Sequence, residues 1–360
     1  MLAAFSARQR IAVAAIALTS VASGVMHYAG VPGTVVFPVV TAALAGLAWL
    51  VSVGTDALGE HTGPGLTGVL QSTLGNLPEL FVVLFALKAG EVVIAQTSVI
   101  GSLFANALLV LGAVLVTGAL SSPDGVMRFQ RRLPNDTATL LLLAVFIIVL
   151  LGLSVSSNDN ASKHVQAISA GGAVVLLGVY AVWLTSYLRA DSREDAAVLE
   201  EQPHGHAPGL SLRGALILLA VAGVGAAFIS DWFVAALTPA IKALHLSPAF
   251  GGLVIVAIAG NAVENFAGIT LARKGKMDDA VSVVKNSVAQ IAVFLFPLLV
   301  LISLLFDSHL TFLLDPVYIG ALLVTALAVW QVTGDGEATV PEGAALIGIY
   351  LMLAFLTFFE

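Results

Sequence analysis

Cysteine is absent from the 360-residue chain, which excludes disulfides and thiolate metal sites and says nothing further about compartment. Charge is scarce as well. Asp, Glu, Lys and Arg together make up 10% of the residues, against about 25% in an ordinary soluble domain, so water is not the chain's main solvent. Nothing resembles a basic nucleic-acid patch, and the net charge of -7 lies largely in one connector and in the turns. The ten-residue alternation of a transmembrane barrel is missing. No nucleophile or metal-binding histidine cluster accompanies the acids, which argues against an enzyme and against an intramembrane hydrolase in particular.

Long apolar runs fill the space. Hydrophobic residues make up 59% of the chain, and stretches of about 20 of them suffice to cross a bilayer as a helix. The fold class is therefore an all-α integral membrane protein. The first apolar stretch, Ile11 to Gly30, follows Arg8 and Arg10 but lacks a clear small-residue cleavage site, so it reads as a retained helix. Gly, Pro and charge punctuation predicts eleven helices over 11–29, 34–56, 64–88, 92–118, 137–155, 165–188, 212–238, 249–272, 279–305, 315–333 and 341–359. This divides the chain into an N-terminal transmembrane helix (1–30), a five-helix unit (31–188), an acidic connector (189–211) and a second five-helix unit (212–360). In the connector, His204-Gly205-His206 reads as solvated more readily than as a metal-binding or pH-sensing pair, and the acids Asp191, Glu194, Asp195, Glu200 and Glu201 either concentrate cations at the cytoplasmic mouth or solubilise the segment.

Basic residues favour cytoplasmic loops. Eleven of them (Arg8, Arg10, Arg128, Arg131, Arg132, Arg189, Arg193, Arg213, Arg273, Lys274, Lys276) fall on one side of this topology, and three (Lys88, Lys163, Lys242) on the other. The N-terminus is then cytoplasmic, the C-terminus outside, and the connector cytoplasmic. Short loops suit a prokaryotic inner membrane.

The halves repeat. A slide of 185 residues superposes Gly75, Asn76 and Glu79 on Gly260, Asn261 and Glu264, then Lys88 on Arg273, Gly90 on Gly275 and Ser102 on Ser287, with no gap. An odd number of helices per unit makes the second enter the membrane from the opposite side, as in the inverted repeats of secondary transporters.

Glu79 and Glu264 each sit within an apolar helix, where an acid costs about 2.5–3.5 kcal/mol on insertion scales. Each follows a helix-weakening segment: Gly75-Asn76-Leu77-Pro78 in one half, Gly260-Asn261-Ala262-Val263 in the other. Pro78 has no amide hydrogen, which predicts a carbonyl near Leu74 left without its usual donor. Two carboxylates, two asparagine amides and freed carbonyls form an oxygen-only site suited to a hard cation such as Ca2+. Ser102 and Ser287 lie 23 residues beyond their glutamates and are candidates to line the same cavity. Asn106, Asn286 and Gln290 are further amides near them, although small polar residues also serve as packing glue between membrane helices.

These residues resemble the cation/Ca2+ antiporter superfamily and, within it, its Ca2+/H+ exchanger branch. The resemblance spans nearly the whole chain. GNLPELFVVLFALKAGEVVIAQTSVIGSLFANALLVLG, Gly75 to Gly112, is similar to the family's first motif, a GN-x-x-E helix followed by a Q-x-S-x-x-GS-x-x-x-N helix that includes Gln96 and Ser98. GNAVENFAGITLARKGKMDDAVSVVKNSVAQIAVFLFP, Gly260 to Pro297, looks like its partner. The resemblance implies exchange of Ca2+ for H+ by alternating access. Glu79 and Glu264 would be the transport carboxylates, assisted by Asn76 and Asn261, with Asp56 and Asp231 where the family carries acids that gate or guide ions. Ca2+ and H+ are cargo and no cofactor is implied; lipid and the transported cations are the partners, and a homo-oligomer stays open. Three departures stand out. Asn265 replaces the histidine after the second glutamate. Leu77-Pro78-Glu79 is similar to the sodium/calcium branch, which keeps Na+-coupled or monovalent-cation exchange as the alternative. Lys285 puts an ammonium where the family is uncharged, either in a cation's place or facing a headgroup. A cation channel, also built from broken helices, is the rival from another class.

Overall fold

The computed structural model describes residues 5–62, 74–130, 132–195 and 209–360, with the side chains of 60, 62, 132–135, 187–195 and 262–265 left undescribed. Glu200, Glu201, His204 and His206 thus lie outside the described residues, as do the side chains of Glu264, Asn265, Asp191, Glu194 and Asp195.

Backbone in a bilayer must satisfy its own hydrogen bonds, and helices do so within one segment. The chain accordingly forms α1 (Ala7–Tyr28), α2 (Gly33–Thr62), α3 (Leu77–Lys88), α4 (Val92–Ser121), α5 (Arg132–Ser157), α6 (Val165–Asp195), α7 (Leu212–Ala243), α8 (Pro248–Gly260), α9 (Ala262–Arg273), α10 (Met277–Ser303), α11 (Pro316–Thr333) and α12 (Val340–Phe358). Nine helices among the described residues are long and apolar enough to cross a membrane. The helices expected over 64–88 and 249–272 account for the difference. The second is split at Asn261 into α8 and α9, and in the first Asn76 is a turn residue immediately before α3. Another expected boundary moves: α6 runs on to Asp195, into the stretch assigned to the connector, where Arg189, Ala190, Arg193 and Glu194 are good helix formers.

The chain divides into two compact units, residues 1–85 with 181–245, and residues 86–180 with 246–360. Each draws on both halves of the sequence.

In the first unit α2 and α7 run antiparallel, with α1 packed on both. Glycines let the backbones approach, as small residues do between membrane helices. A Cβ at Gly33 would lie 2.5 Å from Pro239 Cγ, one at Gly46 2.5 Å from Ile16 Cγ1, and one at Gly54 2.8 Å from Leu219 Cγ. His61 closes the far end of the pair on the Leu210 carbonyl at 2.8 Å.

In the second unit α4 is the most deeply buried of the long helices. It packs against α8 and α12, while α5 lies on α11 and α9 on α10. At Gly101 a Cβ would come within 2.5 Å of Leu253 Cα on α8, and at Gly112 within 2.6 Å of the Gly343 carbonyl on α12. The segment from 304 to 315 folds back onto the unit. There Gln96 Nε2 donates to the Leu313 and Thr311 carbonyls at 2.7 and 3.2 Å, and Ser169 Oγ accepts from Phe312 N at 3.1 Å. A short antiparallel ribbon, β1 (Val126–Arg128) with β2 (Glu337–Thr339), pairs Met127 with Ala338. The ribbon is tied to the start of α10 where Gln130 N donates to Asp278 Oδ1 at 2.6 Å.

Two expectations follow. Gly101→Ala forces a methyl group against backbone that cannot rotate away, and overpacking of this kind costs about 1–3 kcal/mol. It should lower the unfolding midpoint of the purified protein, while Gly320→Ala, with nothing within 4 Å of its Cβ, should not. On the ribbon, the Arg128 guanidinium 2.7 Å away holds the Asp124 carboxyl below the usual carboxylate range. A depressed folded value means the pair stabilises above the ordinary carboxylate pKa, and that contribution is lost as pH falls through the folded value. Arg128→Gln should move the carboxyl 13C titration of Asp124 upward; an unchanged midpoint would remove the guanidinium as the cause.

Candidate functional site

In the first unit Asn76 is 3% and Glu79 5% exposed, so an amide and a carboxylate are both held out of solvent at the start of α3. Pro78 is the second residue of α3, in the first turn, where the missing N–H is one that the helix would leave unpaired in any case. The turn at Asn76 therefore need not rest on the proline. The other half confirms the point, since Val263 stands at the equivalent position and α8 still ends at Gly260. A Cβ on Gly223 of α7 would lie 3.8 Å from Leu77 Cδ1, which puts the middle of α7 beside this turn. Asp56 on α2 and Asp231 on α7 are both exposed, while their neighbours Thr55 and Ser230 are buried.

In the second unit the break at Asn261 can be followed atom by atom. Its backbone sits at φ -96°, ψ 9°, outside the helical well. The side-chain amide donates to the Ala257 carbonyl at 2.9 Å, beside the Asn261 backbone N–H that reaches the same oxygen at 3.2 Å. The same nitrogen donates to Ser102 Oγ at 2.9 Å, and Asn261 Oδ1 accepts from Asn106 Nδ2 at 2.7 Å. One asparagine thus joins α8, α9 and α4. Asn106 is 0% exposed, and its Oδ1 has no hydrogen-bond partner among the described residues. A buried acceptor left over beside this clamp is a donor atom for a hard cation.

Gly260 is the last residue of α8, and Glu264 is carried in the first turn of α9. Gly75 is helical, immediately before the Asn76 turn. Ser287 and Gln290 are buried on α10, which packs on α9. Asn286 lies beside them with a buried Oδ1 that finds no partner among the described residues. Of the expected lining residues Gln96 and Ser98, the Gln96 Nε2 group anchors the 304–315 segment, and Ser98 Oγ donates to the Ile94 carbonyl at 2.5 Å. Lys285 faces no headgroup. It is buried inside the unit and donates to Thr333 Oγ1 on α11 at 2.9 Å.

Three π-helical runs escaped the sequence reading: Ala105–Val110 in α4, Gly251–Val256 in α8 and Ile291–Leu295 in α10. Asn106 stands in the first, and Gln290 directly precedes the third. Such segments widen the helix and concentrate at functional sites, and hydropathy carries no trace of them.

A profile of the family described as sodium/calcium exchanger protein matches residues 32–188 and 214–359. The Ca(2+)/H(+) antiporter ChaA of Bacillus subtilis is 32% identical over 337 residues, covering 93% of this chain and 94% of that one. The Ca(2+)/H(+) antiporter of Synechocystis sp. is 31% identical over 351 residues, 93% of each chain. Among solved structures, native YfkE superposes with a TM-score of 0.79 at 27% identity, covering 97% of this chain and 100% of that one.

If the Asn261 clamp holds the break together, Asn261→Val should destabilise the protein by about 1–3 kcal/mol, the usual cost of stranding buried polar partners. Thermal unfolding of the purified variant reads this directly. A wild-type midpoint would mean that Ser102 and Asn106 find other partners at no cost.

Proposed function

The chain belongs to the sodium/calcium exchanger protein family, and from that premise we propose that it is a secondary antiporter exchanging Ca2+ for H+ across a membrane. One arrangement carries the reading: a Gly-Asn break three residues ahead of a glutamate, present once in each half of a chain whose full-length relatives bear the name Ca(2+)/H(+) antiporter. Glu79 and Glu264 are the transport carboxylates in this proposal, with Asn76 and Asn261 shaping the breaks and Ser102, Asn106, Ser287 and Gln290 as supporting oxygen donors.

The proposed architecture is one N-terminal helix followed by two inverted five-helix repeats, eleven crossings in all, with the N-terminus cytoplasmic. Several equivalences at the 185-residue offset support it. α3 and α9 have matching bounds, Leu77–Lys88 and Ala262–Arg273. Gly90 and Gly275 both take φ 77°. The bond from Glu91 N to the Ala86 carbonyl recurs as Lys276 N to Leu271, at 2.9 and 3.1 Å.

Antiport follows from charge. Two ionised carboxylates without a counter-ion are heavily penalised in a low-dielectric interior, so the empty site does not reorient. One Ca2+ neutralises the pair, and so do two protons, which leaves the loaded forms as those that cross. α2 and α7, packed through glycine contacts as one antiparallel pair, are the proposed gating element.

In proteoliposomes with an imposed pH gradient, Ca2+ should drive proton movement without a Na+ gradient. A requirement for Na+, or indifference to Ca2+, would move the protein to another branch of its family. Glu79→Gln and Glu264→Gln should each reduce exchange to background while preserving the elution profile of the folded protein. Wild-type exchange in both variants would remove the carboxylates from the mechanism.

A further inference from the structure

One charge on α10 has no part in the exchange cycle outlined above. Lys285 lies within the membrane-crossing span Met277–Ser303 and is 0% exposed. Its ammonium donates to Thr333 Oγ1 at 2.9 Å, and that hydroxyl gives its own proton to the Val329 carbonyl at 2.6 Å, so toward the lysine it is purely an acceptor. Thr333 ends α11, where the last carbonyls lack helical donors and the dipole favours a cation. No ion pair among the described residues involves Lys285. A cation held this deep by a neutral oxygen is expensive in a membrane, and ionisable residues at such depth mark function more often than packing.

Its place relative to Glu264 follows from packing within the second unit. A Cβ on Gly268 of α9 would lie 3.1 Å from Cγ2 of Val284, the residue before Lys285. Gly268 is one turn beyond Glu264 on the same helix. Helix rise and contact distance then put the backbones of Lys285 and Glu264 about 10–15 Å apart. At such a range, with an effective interior dielectric of about 20, one unit charge changes another's binding constant about tenfold.

We propose that Lys285 is an affinity-setting residue. Its positive charge, anchored on Thr333, weakens Ca2+ binding at the Glu264 side of the site, so that the ion is released rather than retained. The proposal rests on the antiport reading. Two protons carry the same charge as one Ca2+, so the ammonium opposes both loaded forms alike. It shifts the working concentration range and leaves the exchange equilibrium between the two cargoes nearly untouched.

The test pairs equilibrium 45Ca2+ binding to the purified full-length protein with Ca2+-driven proton flux in proteoliposomes. Lys285→Met, similar in length and uncharged, should bind Ca2+ about tenfold or more tightly and show a correspondingly lower half-saturating Ca2+. Lys285→Arg, which keeps the charge, should stay near wild type. A merely structural lysine would cost yield or maximal flux without tightening Ca2+ binding. Should the Met variant not fold, Lys285→Gln, which keeps a donor for Thr333, carries the same expectation. Wild-type flux together with unchanged Ca2+ affinity in the neutral variant would overturn the role of Lys285 alone. Absence of Ca2+-driven proton flux in the wild type would overturn the antiport reading.

Discussion

A helix that stops inside a bilayer leaves amide hydrogens and carbonyls with no intrahelical partner, and no water in the hydrocarbon region to replace it. At Asn261 the backbone N–H still reaches the Ala257 carbonyl at 3.2 Å, and the side chain adds bonds that tie the break to its surroundings. Its amide returns one proton to the Ala257 carbonyl behind the break and sends another to Ser102, while its oxygen accepts from Asn106. The break is consequently not a loose point in the chain. It is fastened to α4, and the glycine contacts of α4 with α8 and α12 hold the surrounding helices close enough for these bonds to form. In the proposed transport site polar groups must stand at depth to meet an ion, and the bonds around Asn261 would hold such a break in place.

Much of this was legible in the sequence, for physical reasons. Apolar runs long enough to cross a bilayer have few alternatives to helix, so most elements could be placed from hydropathy. The 185-residue repeat was visible because glycine at a C-terminal turn, a charged residue before it and an acid in an apolar segment are each costly to put elsewhere. Pro78 is conspicuous in sequence, but it is not what the two breaks share. The structure puts it in the first turn of α3, where its missing donor matters least, and the Gly-Asn pair common to both halves is what coincides with the breaks.

Other features were beyond reach. A π-helical run differs from α-helix only in which carbonyl an amide chooses, and Ala105–Val110 and Ile291–Leu295 have the composition of any membrane helix. Gln96 Nε2 donates to carbonyls more than two hundred residues along the chain. Thr333, the partner of Lys285, is likewise remote and unremarkable in sequence. Tertiary partners of single polar groups have no local signature. The division into compact units is another such case, because each unit collects helices from both halves.

An inverted repeat lends itself to alternating access because two similar halves can exchange roles, giving inward- and outward-open states of comparable energy. Perfect symmetry would leave the two states equally populated, and a ligand moves that balance only by its differential affinity for them. In the proposed repeat, differences between the halves would then decide which way the unloaded protein leans. Two of the many are Pro78 opposite Val263, and the buried Lys285 opposite Ile100 at the same offset. A proline in a first turn mainly restricts the unfolded chain. A buried ammonium, by contrast, acts on every charge around it in both conformations, and by different amounts wherever the distances differ. Of the two asymmetries, the charge has the longer reach and so the larger claim on how the two states are weighted.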